Sequence, residues 1–154
     1  MAFKGKLLTR DKLKSWGCIQ DENCVLCGEA VETSHHLFFT CNYSKDVWKE
    51  VLRRNGLYRS VGNWGEEMSY ALIEAKGDSF TAHVRALALA VTVYCIWMER
   101  NCRIFRQTGL EWAALIVKVE NKMRDATWFW KARRNSAHWM VCKEWGFNDS
   151  RMLA

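Results

Sequence analysis

Residues 23–42 read NCVLCGEAVETSHHLFFTCN and place three cysteines and two histidines within the eighteen positions from Cys24 to Cys41. No other feature restricts the fold of this chain as much, because donors so close in sequence converge only if the chain between them turns back on itself. Cys24 and Cys27 have the C-x2-C spacing at which one tight turn can aim two thiolates at one ion while its amides face the sulfurs. Zinc takes four N or S donors in a tetrahedron. Cys41 and one histidine of the adjacent His35 and His36 complete that number.

The surrounding residues suit a closed, structural Cys3His site. Gly28 follows the second cysteine where the chain leaves the turn with positive φ, EAVETS makes a polar loop, and Thr33 or Ser34 can cap a helical turn that carries the histidines. Phe38 and Phe39 would pack beside the ion and keep water away. Other chemistries share the same residues: a redox C-x2-C, a Cys41 nucleophile with His35 as its base, or buried thiols without a ligand. A redox pair normally follows a strand in a βαβ unit, and no such pattern flanks Cys24. Nothing marks an oxyanion site or an orienting carboxylate for Cys41. Zinc is therefore the expected cofactor. Cys18 lies outside the turn as an alternative ligand, and Cys18, Cys95, Cys102 and Cys142 are expected as small apolar filler.

The remaining chain reads as helical. It has 154 residues, 49% of them apolar, and no proline, so nothing in it removes a helical N–H or clashes with a preceding turn. Thr9 can cap a short helix that buries Leu13 and Trp16 and ends at Gly17. Ser44 offers a cap for SKDVWKEVLRR, with Val47, Trp48, Val51 and Leu52 on one face and Gly56 after its end. Trp64, Met68, Ala71, Leu72 and Ala75 recur at helical spacing, and Glu66 and Glu67 read as the solvated side of that helix. Asp78 or Ser79 can cap a helix from Phe80 to Phe105 with Val84, Leu87, Val91, Tyr94 and Met98 on a common face.

In the last long helix, Trp112, Ile116, Val119, Met123 and Trp130 form the buried line, and Leu110, Ala113, Val117, Glu120 and Arg124 the wet one. The expected fold is mostly α: a small zinc-stabilised N-terminal module over residues 1–57, then a helical bundle over 64–154, with the joint at 57–63. The most apolar window, Ala86 to Met98, has thirteen residues, short of the roughly twenty that cross a bilayer. A buried helix is expected there, and no membrane partner. The N-terminus has no signal-like apolar stretch, and seven cysteines are an odd count. An intracellular protein of nucleus or cytoplasm is expected, not a secreted one.

Net charge is +6, with ten Lys and Arg against seven Asp and Glu in residues 1–60 and eleven against five in residues 100–154. Basic ends suit an anionic partner. Lys4, Lys6, Arg10, Lys12 and Lys14 precede the cysteine loop and Arg53, Arg54 and Arg59 follow it. Arg100, Arg103 and Arg106 recur near the end of the long helix. These cations are candidates for phosphate contacts, and Trp128, Trp130 and Trp139, near Lys131, Arg133 and Arg134, are candidate stacking surfaces for unpaired bases. Solvated helix faces and core tryptophans account for the same patterns.

Thr9 to Gly17 (TRDKLKSWG), Cys24 to Gly28, Glu32 to Cys41 (ETSHHLFFTC) and Val47 with Trp48 together resemble the zinc-binding domain that follows the polymerase in plant non-LTR (LINE-type) retrotransposon reverse transcriptases. The resemblance covers about residues 4 to 55. It implies Cys24, Cys27, His36 and Cys41 as the ligands, because the family histidine stands immediately before Leu-Phe, and it leaves His35 a variable position. Ile96 to Phe105 (IWMERNCRIF) resembles the segment between this domain and RNase H in such polyproteins.

No aromatic-x-Asp-Asp turn is present, of the kind that holds two polymerase metal ions, so catalysis is not implied. The expectation is a non-enzymatic zinc-binding protein, with RNA or DNA as partner. The alternative is a zinc-stabilised protein-interaction module.

Overall fold

The computed structural model describes residues 7–74, 76, 79–130, 132–133, 136–147 and 152–153. The protein is mostly helical. Helix α1 (Arg10–Ser15) leads into the cysteine loop, which a five-residue π-helical turn (His36–Thr40) closes. Helices α2 (Asn42–Arg54), α3 (Trp64–Glu74), α4 (Phe80–Arg106), α5 (Trp112–Ala126) and α6 (Ser136–Glu144) follow. Two-residue strands β1 (Ala132–Arg133) and β2 (Met152–Leu153) pair in parallel, with Ala132 opposite Met152. Lys4, Lys6, Lys131 and Arg134 lie outside the described residues, as do Ala75 and Asp78.

α4 is the central element, packed against α2, α3, α5, α6 and the π-turn. It is also, among the described residues, the one helix long and apolar enough by length and composition to cross a bilayer. One apolar core runs from Cys24, Leu37, Phe38 and Phe39 through Val47, Trp48 and Val51 to Val84, Ala88, Ile96, Val119 and Trp145. The core runs across residues 57–63, where the joint between two parts is expected.

Local chemistry explains most element boundaries. The Ser79 hydroxyl accepts the Ala82 N–H and starts α4, as expected. Asn63 and Glu66 form a reciprocal capping box at α3: Asn63 Oδ1 accepts the Glu66 N–H at 3.1 Å and Glu66 Oε2 accepts the Asn63 N–H at 2.7 Å. Gly56, at φ +69°, ends α2 in the left-handed conformation that costs glycine least.

Several sequence expectations are corrected. α2 begins at Asn42 with Cys41 as its cap, so Ser44 lies inside the first turn and its hydroxyl instead donates to the Leu37 carbonyl. α1 has no fully buried residue and Trp16 is exposed. Thr9 is buried but makes no capping bond; the Arg10 amide is taken by Glu32 Oε1 and the Asp11 amide by the Glu32 carbonyl. The helix thus docks by its backbone, which does not require its apolar side chains to face inward.

On α3, Leu72 is exposed and Glu67 is buried, the reverse of the expectation. Glu67 receives both Arg59 Nη atoms at 2.7 and 2.9 Å and the Gly62 N–H at 2.7 Å, which compensates its burial. On α4, Tyr94 and Met98 are exposed, and Val84, Ala88, Cys95 and Ile96 face the core. The helix is apolar nearly all round, so its period does not select a side. α5 buries Leu115, Ile116, Val119 and Met123, close to the expected line, with Trp112 at its exposed edge. Cys95 and Cys142 are buried filler as expected, Cys102 is half-buried, and Cys18 is exposed.

Candidate metal centre

The two ends of the cysteine loop are tied by an antiparallel bridge between Asn23 and Val31 and by the Cys24 N–H to Ala30 carbonyl bond at 2.7 Å. Between them Gly28, at φ +73°, lets the chain leave the C-x2-C turn, and its N–H returns to the Cys24 carbonyl at 2.7 Å. On the other side Thr33 Oγ1 accepts the His36 N–H at 2.9 Å, the cap expected of Thr33 or Ser34.

From there the chain adopts the wider π-turn, and the His36 carbonyl accepts the Cys41 N–H at 2.8 Å. Successive α-helical residues turn by about 100°, so side chains five apart diverge by about 140°. The wider i to i+5 turn instead brings Cys41 back over His36, and Cys41 itself, at φ −64° and ψ 132°, turns the chain out of the helical region before α2. A π-turn leaves carbonyls out of the ordinary ladder. Here the Ser44 hydroxyl takes the Leu37 oxygen and Trp48 Nε1 takes the Phe38 oxygen, both at 2.6 Å. Phe39 stacks on Trp48, with centroids 5.3 Å apart, and meets Trp64 edge-on. The aromatic pair expected to keep the site dry is fully buried.

The ligand atoms of Cys24, Cys27, His36 and Cys41 all lie within 4.8 Å of one another. Cys24 Sγ and Cys41 Sγ are 4.0 Å apart, and Cys27 Sγ and His36 Nε2 are 3.3 Å apart. Zinc–sulfur bonds of about 2.3 Å at the tetrahedral angle require sulfur–sulfur edges of about 3.8 Å and slightly shorter sulfur–nitrogen ones. The four residues therefore fit a tetrahedral ion of that size. Among the described residues no other cluster of three or more His, Cys, Asp or Glu groups gathers in this way. His35, adjacent to His36, is exposed and takes no part, and neither does Cys18.

The electrostatics differ from donor to donor. Cys24 is the donor toward Cys41, which pushes the Cys24 thiol up, with burial adding to the rise, and draws the Cys41 thiol down. The Ser44 amide, in the first turn of α2, also favours the Cys41 thiolate, where the helix dipole helps. Burial lowers the His36 pKa and so favours the neutral imidazole that a metal requires. Thr40 Oγ1 lies 3.4 Å from His36 Nδ1, a partner on the ring nitrogen that points away from the sulfurs.

Most of the other proposed binding residues that are described have partners within the protein. Arg10 pairs with Asp21, Lys14 with Glu22, and Lys12 Nζ donates to the Leu7 carbonyl. Arg53 meets Glu50 and Glu144, and Arg54 meets Glu50 and Glu120. Arg59 is bound to Glu67 and Glu74. Arg100 is buried against Glu32, and Arg103 is held by Glu99 and by loop carbonyls. Both lock the cysteine loop to α4. Arg106 is exposed. Of the candidate stacking residues, Trp128 and Trp139 are exposed and Trp130 is half-buried.

Four donors from three cysteines and one histidine, with Cys24 and Cys41 buried and Cys27 and His36 half-buried, define a Cys3His zinc-finger-type site, in which protein atoms supply every tetrahedral position. Residues 1–48, all four donors included, match the family model described as zinc-binding in reverse transcriptase. No curated protein and no solved structure matches the chain.

Proposed function

We propose that the protein is a non-catalytic zinc-binding, nucleic-acid-binding protein, as part or remnant of a plant LINE-type retrotransposon reverse transcriptase. The observation that carries this reading is the family match over residues 1–48 together with the closed donor set it contains. Cys24, Cys27, His36 and Cys41 would hold zinc. Bound there, zinc supplies a structural cross-link between the C-x2-C turn and the start of α2, coupling folding to metal binding. The chain's own residues aim the four donors and bury Cys24 and Cys41.

The net charge of +6 supports an anionic partner. The pairs that engage Arg10, Lys14 and Arg53 are partly exposed. Such pairs are worth about 0–1 kcal/mol each, so phosphates can replace their carboxylates at small cost. Two experiments test the proposal. Native mass spectrometry should find one zinc per chain, lost in the Cys24→Ser, Cys27→Ser double variant. Fluorescence anisotropy with single-stranded RNA and DNA should show binding that weakens as salt rises. No affinity for either at low salt would reject nucleic acid as the partner.

The exposed apolar side chains of Phe105, Trp128 and Phe129 favour a second reading, a zinc-stabilised protein-interaction module. A concentration-dependent mass in light scattering, with no nucleic-acid affinity, is its expected signature.

A further inference from the structure

The Cys24–Cys27 turn is held from behind by a residue of α4. Arg103 Nη1 donates to the carbonyl oxygens of Val25 and Leu26 at 3.3 and 3.2 Å. The same two peptide groups carry the amides of Leu26 and Cys27, within the turn that joins the first two donors. A cation at the oxygen end of a peptide polarises it and makes its N–H a stronger donor, as in any hydrogen-bonded chain. The charge of Arg103 therefore acts on two of the peptides that join Cys24 to Cys27.

The guanidinium is fixed in this pose from several sides. Its Nε donates to Glu99 Oε1 at 2.9 Å and its Nη2 to the Leu110 carbonyl at 2.8 Å. Glu99 Oε1 also accepts the Leu110 N–H at 2.7 Å. Below the guanidinium lies the Tyr43 ring, 4.8 Å away, whose hydroxyl donates to the same Leu110 carbonyl at 2.9 Å. A planar fork, and no single ammonium, satisfies these directions together.

We propose that Arg103 is a positioning residue of the metal centre: it fixes and polarises the Cys24–Cys27 backbone that carries two of the four donors, making metal affinity depend on α4. The inference rests on the metal-binding reading above. Three thiolates and one imidazole around a dication leave one net negative charge in a partly buried place, and a cation held against the backbone of the turn offsets it. Residues that support ligands in this way typically change metal affinity by about 10–100-fold when removed. Arg100, by contrast, grips Glu32 and contacts neither carbonyl of the turn.

The test uses the full chain, with Zn2+ affinity measured by competition with a chromophoric chelator and Co2+ as a spectroscopic probe. Arg103→Met should weaken Zn2+ binding about tenfold or more and shift the Co2+–thiolate charge-transfer band. Arg106→Met, which removes a nearby exposed cation, should leave both unchanged. Arg103→Lys keeps the charge but not the fork, and should fold without recovering the affinity. If wild type binds metal and Arg103→Met matches it in affinity and in the Co2+ band, the inference is overturned. If Arg103→Met does not fold, Arg103→Lys decides in the same way. Wild type that takes up neither Zn2+ nor Co2+ instead overturns the metal reading itself.

Discussion

Arg100 on α4 and Glu32 in the cysteine loop form a buried ion pair, with Nη2 and Nε reaching the same carboxylate oxygen at 2.7 and 3.0 Å. Their side chains are 3% and 0% exposed. The same oxygen accepts the Arg10 N–H at 3.1 Å, and Arg100 Nη2 reaches the Leu8 carbonyl at 3.1 Å. One pair thus joins α1, the metal loop and α4. Removing one partner strands the other charge in the core, which costs about 3–5 kcal/mol. Arg100→Met should therefore destabilise the protein by about that amount in urea unfolding of the zinc-loaded form. Adding Glu32→Gln, which removes the stranded charge, should recover part of the loss. A double variant as unstable as the sum of the two single ones would show that the residues are not coupled.

The π-turn gives a second prediction. Ser44 is fully buried and its hydroxyl donates to the Leu37 carbonyl at 2.6 Å. Without it that oxygen has no water to replace the bond, a loss of about 1–3 kcal/mol. Ser44→Ala should lower the thermal midpoint accordingly. A midpoint equal to wild type would mean that the π-turn does not depend on this hydroxyl.

The metal loop was the most legible part of the chain, because its spacing and Gly28 each express a local rule: four donors, a tight turn and a positive φ. The caps at Ser79 and Gly56 were legible for the same reason. Where tertiary contacts decide, sequence patterns failed. The Cys41 cap displaced Ser44 because the chain had already turned at the π-helix, which no period of 3.6 announces. The faces of Tyr94 and Met98 were misread on a helix apolar all round. The internal partners of Arg100 and Arg103 were not foreseen, because a basic triplet says nothing of the carboxylates and carbonyls that meet it from distant sequence. Glu32 and Glu99, their buried partners, were the residues missed. Acidic residues beside an Arg-rich helix end were the one available signal, and that signal is common on solvated helices.

Glu50 provides the pH dependence. Its carboxyl, between Arg53 and Arg54, is held down to about 2 from an ordinary 4.5, chiefly by the hydrogen bond from Arg53. Because the folded pKa is depressed, the stabilisation is fully present above about pH 4.5 and fades as pH falls toward 2. Wild type should exceed Glu50→Gln in stability by a constant margin between pH 7 and 5, and that margin should shrink in urea melts at pH 4 and 3. A margin that grows on acidification has the wrong sign and would remove the ion pairs as its cause. Both arms need the same metal loading, since acid also protonates the thiolates.

The adjacent histidines give the sharpest single-residue contrast. His36 Nε2 stands 3.3 Å from Cys27 Sγ, and its Nδ1 faces Thr40 Oγ1 at 3.4 Å. His35 is exposed and lies outside the donor cluster. His36→Ala should reduce Zn2+ affinity by well over tenfold, since a lost ligand costs more than the loss of an outer contact, put at about 10–100-fold. His35→Ala should bind as wild type does. Substituting His36→Cys retains a fourth donor, so it should keep metal while moving the Co2+ spectrum toward that of a four-thiolate site. Equal losses in His35→Ala and His36→Ala would mean that either imidazole can reach the ion, and would remove the distinction that the geometry draws between them.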